Sequence, residues 1–299
     1  MRHYLSAILL LLIAVHSSSQ SPKRPDLIGI ATVELQVTDV KQASLFYEDL
    51  LGYSYTRPAN NKLLYNRLRV NQRQSILLQG GLSETQIERL VAVGFQTSDA
   101  AAMRAWLLSK GIAVSDTLHK EGNEQLWFSV TDPDKHQIKF IQFLPAKNKQ
   151  AAQQSNAVTK GITPPKAISN RILHAGLTIS NSSAADAFYK EVLGFSEIWH
   201  GGANDSVTSW INMRLPESTD YIEYMLTTAT PTRQQLGSSH HIALLVPDMQ
   251  KAVDVLRERS AQLNYPVAAP RIGRNNRWQL NLYDPNGTRI ELMEPFPMR

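Results

Sequence analysis

Apolar and polar residues alternate along several short stretches of the chain, and these stretches recur in a fixed order. Clear examples are "RILHAGLTIS" (171–180) and "HIALLVPD" (241–248), in which alternate positions are apolar. A period of two is typical of a strand with one buried face. A helix-like segment follows each of these strands, and two or three strand-like runs follow each helix. The pattern predicts a β-α-β-β-β unit that occurs four times.

The helix-like segments indicate that the chain is duplicated. Residues 37–53 read "VTDVKQASLFYEDLLGY" and residues 179–195 read "ISNSSAADAFYKEVLGF". Each contains an Asp or Asn that can cap a helix N-terminus and a glycine that can end the helix. The candidate caps are Asp39 and Asn181, and the glycines are Gly52 and Gly194. The two segments predict the same helix, used once in each half of the chain.

A second pair of matching segments marks the ends of the two halves. The segments "FSVTDPDKHQIKFIQF" (128–143) and "LNLYDPNGTRIELMEP" (280–295) both read as a strand, an Asp-Pro turn and a strand. The duplication predicts a first domain at residues 29–145 and a second domain at residues 171–296. Residues 146–170 between them are polar and rich in Ala, Gln and Pro, which predicts a linker.

Strand alternation in the second domain places four residues of metal-ligand type on one face. The opposite face of the same strands is more uniformly apolar and is predicted to pack under the helices. His174 precedes Glu223 by 49 positions, and His241 precedes Glu291 by 50. The neighbouring His240 points to the other face, so we interpret it as structural or as a support for a ligand.

Three motifs make the sequence resemble a known superfamily. They read "H-x-x-L-x-I/V-x-N/D", "FY-x-x-x-LGF" and "YDPNGTRIELMEP". With them the chain resembles the vicinal oxygen chelate superfamily, which includes glyoxalase I, bleomycin-resistance proteins and type I extradiol dioxygenases. The resemblance covers nearly all of the chain after residue 29. It implies an α+β fold in which four β-α-β-β-β modules pair into two glyoxalase-like domains, with cupped mixed sheets around a metal or ligand funnel.

The resemblance also implies a cofactor in the second domain. The positions of His174, Glu223, His241 and Glu291 match the metal ligands of glyoxalase I. The chain has no cysteine, so a metal must bind to His, Asp, Glu or water. Two His and two Glu suit Ni²⁺, Co²⁺, Zn²⁺, Mn²⁺ or Fe²⁺, and affinity rules do not choose among them. We expect one divalent metal per chain.

The first domain lacks a corresponding set of ligands. Alignment of the repeats puts Thr32, a residue near Ile76, Ala92 and Lys139 at the four positions. These side chains do not form a metal-ligand set, so the first domain is predicted to bind no metal. We interpret this domain as a structural partner. The alternative is that it shields the mouth of the site in the second domain.

Other polar and aromatic residues share the ligand-bearing face or the loop that leads to it. Buried polar groups need hydrogen-bond partners, which a bound substrate would supply. The arginines of "PRIGRNNRW" (270–278) could clamp an anionic substrate, and a solvated basic loop is an equal alternative. The candidate substrate contacts are Trp210, Asn212, Arg214, Arg274, Arg277 and Asn281.

The favoured function is a metal-dependent lyase or isomerase of the glyoxalase type. In such an enzyme the metal polarises a substrate oxygen while a carboxylate, Glu291 or Glu223, moves a proton. The substrate would be a small molecule whose vicinal oxygens chelate the metal. A non-catalytic binding protein of the bleomycin-resistance kind is an alternative, although such proteins usually do not need four metal ligands.

The other alternative is an extradiol dioxygenase that uses iron. The two-domain size of the chain and its predicted metal-free half favour this enzyme. The ligands that this resemblance implies are His174, His241 and Glu291. The sequence departs from the dioxygenase signature, because Asn275 or Asn276 and Asn281 stand where it has a His and a Tyr. Glu223, as a fourth ligand, would also crowd the positions of oxygen and catechol.

The first 20 residues predict export to the periplasm or the outside of the cell. Arg2 precedes an apolar run from Leu5 to Val15, and small residues follow, as in a secretory signal peptide. The run is shorter than the roughly 20 apolar residues of a membrane span. We expect no stable membrane insertion after cleavage, and an uncleaved anchor is the alternative.

Composition narrows the choice of partners. The chain has 299 residues and a formal net charge of +5 at pH 7. Its basic residues are scattered rather than clustered, which is weak evidence for nucleic-acid binding. We therefore expect a small-molecule substrate and no nucleic acid, whereas the sequence makes no prediction of the oligomeric state.

Overall fold

The computed structural model describes both predicted domains but not the N-terminus. It describes residues 22–56, 65–121, 124–145, 166–227 and 230–298. The predicted signal peptide at 1–20 and most of the predicted linker, 146–165, lie outside the described residues and remain predictions. No helix within the described ranges is long and apolar enough to cross a membrane.

The first domain is an eight-stranded mixed sheet with two helices. Its strands are β1 (Leu27–Gln36), β2 (Tyr55–Thr56), β3 (Tyr65–Arg69), β4 (Ser75–Gln79), β5 (Leu90–Thr97), β6 (His119–Glu121), β7 (Gln125–Thr131) and β8 (Gln137–Phe143). Helix α1 (Val40–Leu45) continues as a π-helical turn, Phe46–Leu50, and α2 spans Ala100–Ser109. The strand order is β2-β3-β4-β1-β5-β8-β7-β6. Strands β1 and β5 pair antiparallel at the centre and join two β-α-β-β-β modules.

The second domain repeats this topology. Its strands are β9 (Ile172–Ile179), β10 (Ser196–Gly201), β11 (Trp210–Arg214), β12 (Tyr221–Leu226), β13 (Ile242–Leu245), β14 (Arg271–Ile272), β15 (Trp278–Tyr283) and β16 (Arg289–Met293). Helix α3 (Ser182–Asp186) continues as a π-helical turn, Ala187–Val192, followed by α4 (Arg233–Ser239) and α5 (Met249–Leu263). The strand order is β10-β11-β12-β9-β13-β16-β15-β14. The α+β fold with four modules in two cupped mixed sheets is confirmed.

The residues predicted to cap and to end the two matching helices do so in the structure. The Asp39 side chain accepts a hydrogen bond from the Lys41 backbone N–H at 2.7 Å, and Asn181 accepts one from the Ala184 N–H at 3.0 Å. After the π-helical turns, Gly52 and Gly194 both have φ of +80°. Glycine adopts this left-handed conformation without the steric cost that a Cβ brings, so it ends the helix.

We expect Gly52→Ala to destabilise the protein more than Gly111→Ala. Both glycines have positive φ, but a Cβ at Gly52 would lie 2.1 Å from the Lys166 carbonyl oxygen, whereas a Cβ at Gly111 meets nothing within 4 Å. Gly111→Ala should cost about 1–2 kcal/mol of unfolding free energy for its left-handed backbone alone. Gly52→Ala should cost about 1–3 kcal/mol more because of the clash. Urea denaturation measures both, and equal losses would contradict the predicted clash.

The repeated motifs also join the two domains to each other. Tyr47 donates to the Asp284 carboxylate at 3.2 Å, and Tyr189 donates to the Asp132 carboxylate at 2.8 Å. Each tyrosine follows the Phe of one domain's Phe-Tyr motif, and each aspartate starts the other domain's Asp-Pro turn. Burial, and then the neighbouring carboxylate, hold the pKa of both phenols well above the usual value. The phenols therefore remain protonated donors across the interface.

The apolar faces predicted from alternation form one core shared by both domains. Ala175, Leu177 and Ile179 on β9 belong to it, as the alternation predicts. Beside the core, the buried Asp220 carboxylate accepts a hydrogen bond from the Ile30 backbone N–H at 3.0 Å. Because Ile30 lies in the first domain, this bond ties β1 to the strand that carries Glu223. Residues of both domains therefore support the second sheet through its apolar face, and the ligands lie on the other face.

Candidate metal centre

The four predicted ligands lie on the central strands of the second sheet. His174 is on β9, Glu223 on β12 and Glu291 on β16, and His241 directly precedes β13. In the strand register, Ala243 of β13 pairs with both His174 and Glu291. Since paired residues in a sheet share a face, this register brings the four side chains together.

The side chains converge through their terminal nitrogen and oxygen atoms. The Nε2 atoms of His174 and His241 are 2.8 Å apart. Glu291 Oε2 lies 3.4 Å from His174 Nε2 and 3.7 Å from His241 Nε2. Glu223 Oε2 lies 3.3 Å from His241 Nε2 and 4.0 Å from His174 Nε2. Both histidines are fully buried, whereas the Glu223 side chain is 12% exposed, the most of the four.

This cluster fits a divalent metal ion. Ligand atoms about 2.0–2.2 Å from a metal lie about 3 Å apart at neighbouring positions and about 4 Å apart at opposite ones. The donor atoms of His174, Glu223 and His241 lie 2.8–4.0 Å apart, which fits this range, and Glu291 Oε2 lies 3.4 Å from His174 Nε2. His174 Nδ1 is buried and has no hydrogen-bond partner among the described residues. His174 Nε2 is the ring nitrogen that faces the other ligand atoms.

Neighbouring groups hold both imidazole rings in place. His241 Nδ1 lies 2.9 Å from the Ser239 carbonyl oxygen, which helps to hold the ring with Nε2 toward the cluster. The His174 ring stacks on Tyr221, with centroids 4.5 Å apart. A Cβ at Gly176 would lie 2.1 Å from His241 Nδ1, so only glycine leaves room for the ring there.

The charge state of the cluster suits metal binding. Burial, together with the nearby Arg289 guanidinium and His174, holds the pKa of His241 well below its usual value. Burial alone would raise the pKa of Glu291. The hydrogen bond with His174 and the Arg289 charge outweigh burial, so that this pKa is lowered. The result is a neutral imidazole beside an ionised carboxylate, and both are the forms that metals bind.

His240 takes a different place from His241. It is 2% exposed, its Nδ1 lies 2.8 Å from the Glu88 carboxylate of the first domain, and its Nε2 lies 2.7 Å from the Thr178 hydroxyl. His240 therefore connects the first domain to the strand segment that carries His241, in keeping with a structural or supporting role.

A cavity of about 540 Å³ is lined by the two carboxylate ligands, Glu223 and Glu291, and by some of the predicted substrate contacts. Trp210 and Arg274 do so, and Arg274 forms an ion pair with Asp205. Arg214 is exposed and Arg277 is half-buried, and neither is among the residues that line this cavity.

The two predicted asparagines stand beside the carboxylates. Asn212 pairs with Glu223 in the strand register, and Asn281 pairs with Glu291. The side-chain oxygens of both asparagines are buried without a hydrogen-bond partner among the described residues. Neither asparagine is among the residues that line the cavity, so their role as substrate contacts stays a prediction.

Arg289 is a cavity residue absent from the predicted substrate contacts. It lines the cavity, and its Nη2 lies 2.8 Å from His241 Nδ1. Alternation had put Arg289 on the face of Glu291, so the signal was present in the sequence. Its contact with His241 was not visible there, because the two residues lie on different elements 48 positions apart.

The strand register identifies the corresponding positions of the first domain. Thr32 corresponds to His174, Leu77 to Glu223, Ala92 to His241 and Lys139 to Glu291. Leu77 is the residue that the alignment placed only near Ile76. In the part of the chain that the structure describes, the group of side chains able to hold a metal consists of residues of the second domain.

The sequence of both halves matches one family. Residues 29–140 and 171–292 each match the Glyoxalase/Bleomycin resistance protein/Dioxygenase superfamily. The chain belongs to this superfamily. The resemblance drawn from the motifs is therefore confirmed, and the duplicated unit is the superfamily's own domain. No curated protein matches the chain.

Solved structures of similar fold include several dioxygenases. The 2,3-dioxygenase LapB from Pseudomonas sp. KL28 has a TM-score of 0.68 at 15% identity, and the match covers 92% of this chain and 96% of that one. Homoprotocatechuate 2,3-dioxygenase from Arthrobacter globiformis gives 0.66 at 19%, covering 92% and 82%. A variant of the enzyme from B. fuscum gives 0.67 at 18%, covering 92% and 73%. At these identities the likeness shows a shared two-domain fold.

Proposed function

We propose that the chain is a divalent-metal-dependent enzyme of the glyoxalase type, a lyase or isomerase acting on a small oxygenated molecule. The observation that carries this proposal is the fourth donor of the cluster, Glu223. Its carboxylate approaches His241 to 3.3 Å, yet it is the most exposed of the four and lines the cavity. A carboxylate in this position can serve the metal and also reach a substrate.

Different residues of the chain would have different roles in such a reaction. A metal held by the two histidines and two glutamates would polarise the substrate's vicinal oxygens. Glu223 would accept a proton from the adjacent substrate carbon and return it, as a general base and then a general acid. Trp210 forms an apolar wall of the cavity, and the Arg289 guanidinium supplies positive charge beside the site. Trp210 would orient the substrate, and Arg289 would balance developing negative charge.

An extradiol dioxygenase is the second candidate. The shared fold with 2,3-dioxygenases over 92% of the chain favours it, and His174, His241 and Glu291 form a two-histidine, one-carboxylate set. Two expectations from the motifs speak against it. Glu223, as a fourth ligand, would crowd the positions of oxygen and catechol, and Asn275 or Asn276 and Asn281 stand where the motif has a His and a Tyr.

Metal analysis combined with two reaction assays tests the proposal. Purified full-length protein should retain about one divalent metal per chain. It should exchange the carbon-bound protons of hydroxyacetone, a small α-hydroxyketone, in D₂O as followed by NMR. Treatment with a chelator should abolish exchange and added metal should restore it. Bound iron with oxygen uptake on adding catechol would instead support the dioxygenase, and absence of any bound metal would support a binding protein.

A further inference from the structure

The first domain has a cavity in the place where the second domain has its metal site. The cavity has a volume of about 470 Å³, close to the 540 Å³ of the metal-side cavity and within the range of small-molecule pockets. Thr32, Leu77 and Lys139, which correspond to three of the metal ligands, line it. The first domain therefore has a funnel like that of the second, with other side chains at the ligand positions.

An ion pair occupies the floor of this funnel. Lys139 Nζ lies 2.7 Å from both carboxylate oxygens of Glu34, and Gln79 Nε2 donates to the same carboxylate at 3.2 Å. The Lys139 ammonium also lies 4.6 Å from the centre of the Trp127 ring. Each charge is thus neutralised by a protein group. On the wall, Arg67 and Glu121 pair in the same way at 2.9 Å. A charged ligand on the floor would have to compete with these pairs, and the further cation of the lining, Lys120, is exposed to solvent.

One polar group of the floor lacks a partner. The Thr32 hydroxyl is buried and has no hydrogen-bond partner among the described residues. A Cβ at Gly94 would lie 2.3 Å from this oxygen, so the glycine at that position leaves the hydroxyl its space. Leaving a buried hydroxyl unpaired is unfavourable, and a hydrogen bond from a bound molecule removes this cost.

Part of the remaining wall is apolar. Leu77 and Ile141 line the cavity beside Trp127, whose ring faces are taken up by His119, stacked at 4.2 Å, and by the Lys139 ammonium. An aromatic ligand gains dispersion energy against the two aliphatic side chains and edge-to-face contact with the Trp127 ring. The wall therefore favours an aromatic molecule with a small hydrogen-bonding group.

We propose that the funnel of the first domain is a second binding site, specific for small, uncharged aromatic molecules that carry a hydroxyl or carbonyl group. The polar group of the ligand would bond to the Thr32 hydroxyl, and its ring would lie against Leu77, Ile141 and Trp127. The site needs no metal, and the proposal does not depend on the reaction of the second domain.

Titration of full-length protein with fluorinated probes tests this site by ¹⁹F NMR. The neutral probe 4-fluorophenol should bind saturably, and more tightly than the anion 4-fluorobenzoate or the cation 4-fluorobenzylammonium. Thr32→Val keeps the shape of the side chain and removes the hydroxyl. It should weaken 4-fluorophenol binding about 10-fold, the value of one hydrogen bond of roughly 1.4 kcal/mol. Thr131→Val, on the exposed end of β7, is the matched control and should leave binding unchanged.

Two further variants make the result decisive. His241→Ala should retain 4-fluorophenol binding, because it changes only the second domain. Leu77→Phe should abolish binding by filling the funnel, and it replaces Thr32→Val if that variant does not fold. The proposal is overturned if wild-type protein shows no saturable binding, or if 4-fluorobenzoate binds more tightly than 4-fluorophenol. It is also overturned if binding is lost in His241→Ala and kept in Thr32→Val and Leu77→Phe.

Discussion

Replacing His241 with alanine should reduce the bound divalent metal to a small fraction of one ion per chain and abolish metal-dependent activity. The change removes one of four donor atoms, at a position where its Nε2 lies 2.8 Å from His174 Nε2. A group that only supports a ligand contributes about 10- to 100-fold to metal affinity. Loss of a direct ligand should weaken metal binding by more than this. Metal content after equal dialysis, measured by mass spectrometry on full-length protein, gives the result.

His240→Ala is the matched control for this prediction. His240 contacts Glu88 and Thr178 instead of the cluster, so its loss should mainly cost stability, about 1–3 kcal/mol of unfolding free energy. Metal affinity should fall by no more than about 100-fold. Thermal melts separate lost folding from lost ligation. If His240→Ala loses the metal and His241→Ala keeps it, the strand register is shifted by one residue, and every assigned ligand then faces the wrong side.

Glu223→Gln should lower turnover about 10²- to 10⁴-fold, the usual contribution of a general base. The substitution keeps the size of the side chain and removes its capacity to accept and return a proton. It also replaces one charged donor with a neutral oxygen, so metal content must be measured on the same samples. We expect turnover to fall much further than metal content, with proton exchange of hydroxyacetone as the activity readout.

Two variants control the Glu223 prediction. Glu291→Gln alters the more buried carboxylate, 6% exposed against 12% for Glu223, and should reduce metal content more than Glu223→Gln does. Glu197→Gln, on the neighbouring β10 and 46% exposed, should change neither property. Full turnover in Glu223→Gln together with a metal-loaded but inactive Glu291→Gln would assign the proton transfer to Glu291 instead.

Hydrogen bonds between the repeated motifs hold the two domains together. The Tyr47–Asp284 and Tyr189–Asp132 bonds cross the interface in both directions, and Glu88 of the first domain holds His240. The first domain thus supports the element that carries His241. This role agrees with the interpretation of the first domain as a structural partner, and the proposed second binding site adds to it.

Local patterns in the sequence determined the modules and the faces of their strands. A strand has a period of two whatever it pairs with, so His174 and Glu223 could be assigned to one side from alternation alone. Asp39 and Gly52 marked a helix because caps and left-handed ends depend on adjacent residues. Because the chain is duplicated, the same modules could be predicted in both halves.

Tertiary structure alone decided which of these side chains meet. The ion pair of Glu34 and Lys139 joins residues 105 positions apart, and the contact of Arg289 with His241 joins residues on different strands. The Phe-Tyr and Asp-Pro motifs were visible as repeats, but their exchange between domains was not. Such contacts depend on the order and register of strands that are distant in the chain. Register is set by cooperative packing of the whole sheet, and no local stretch of residues encodes it.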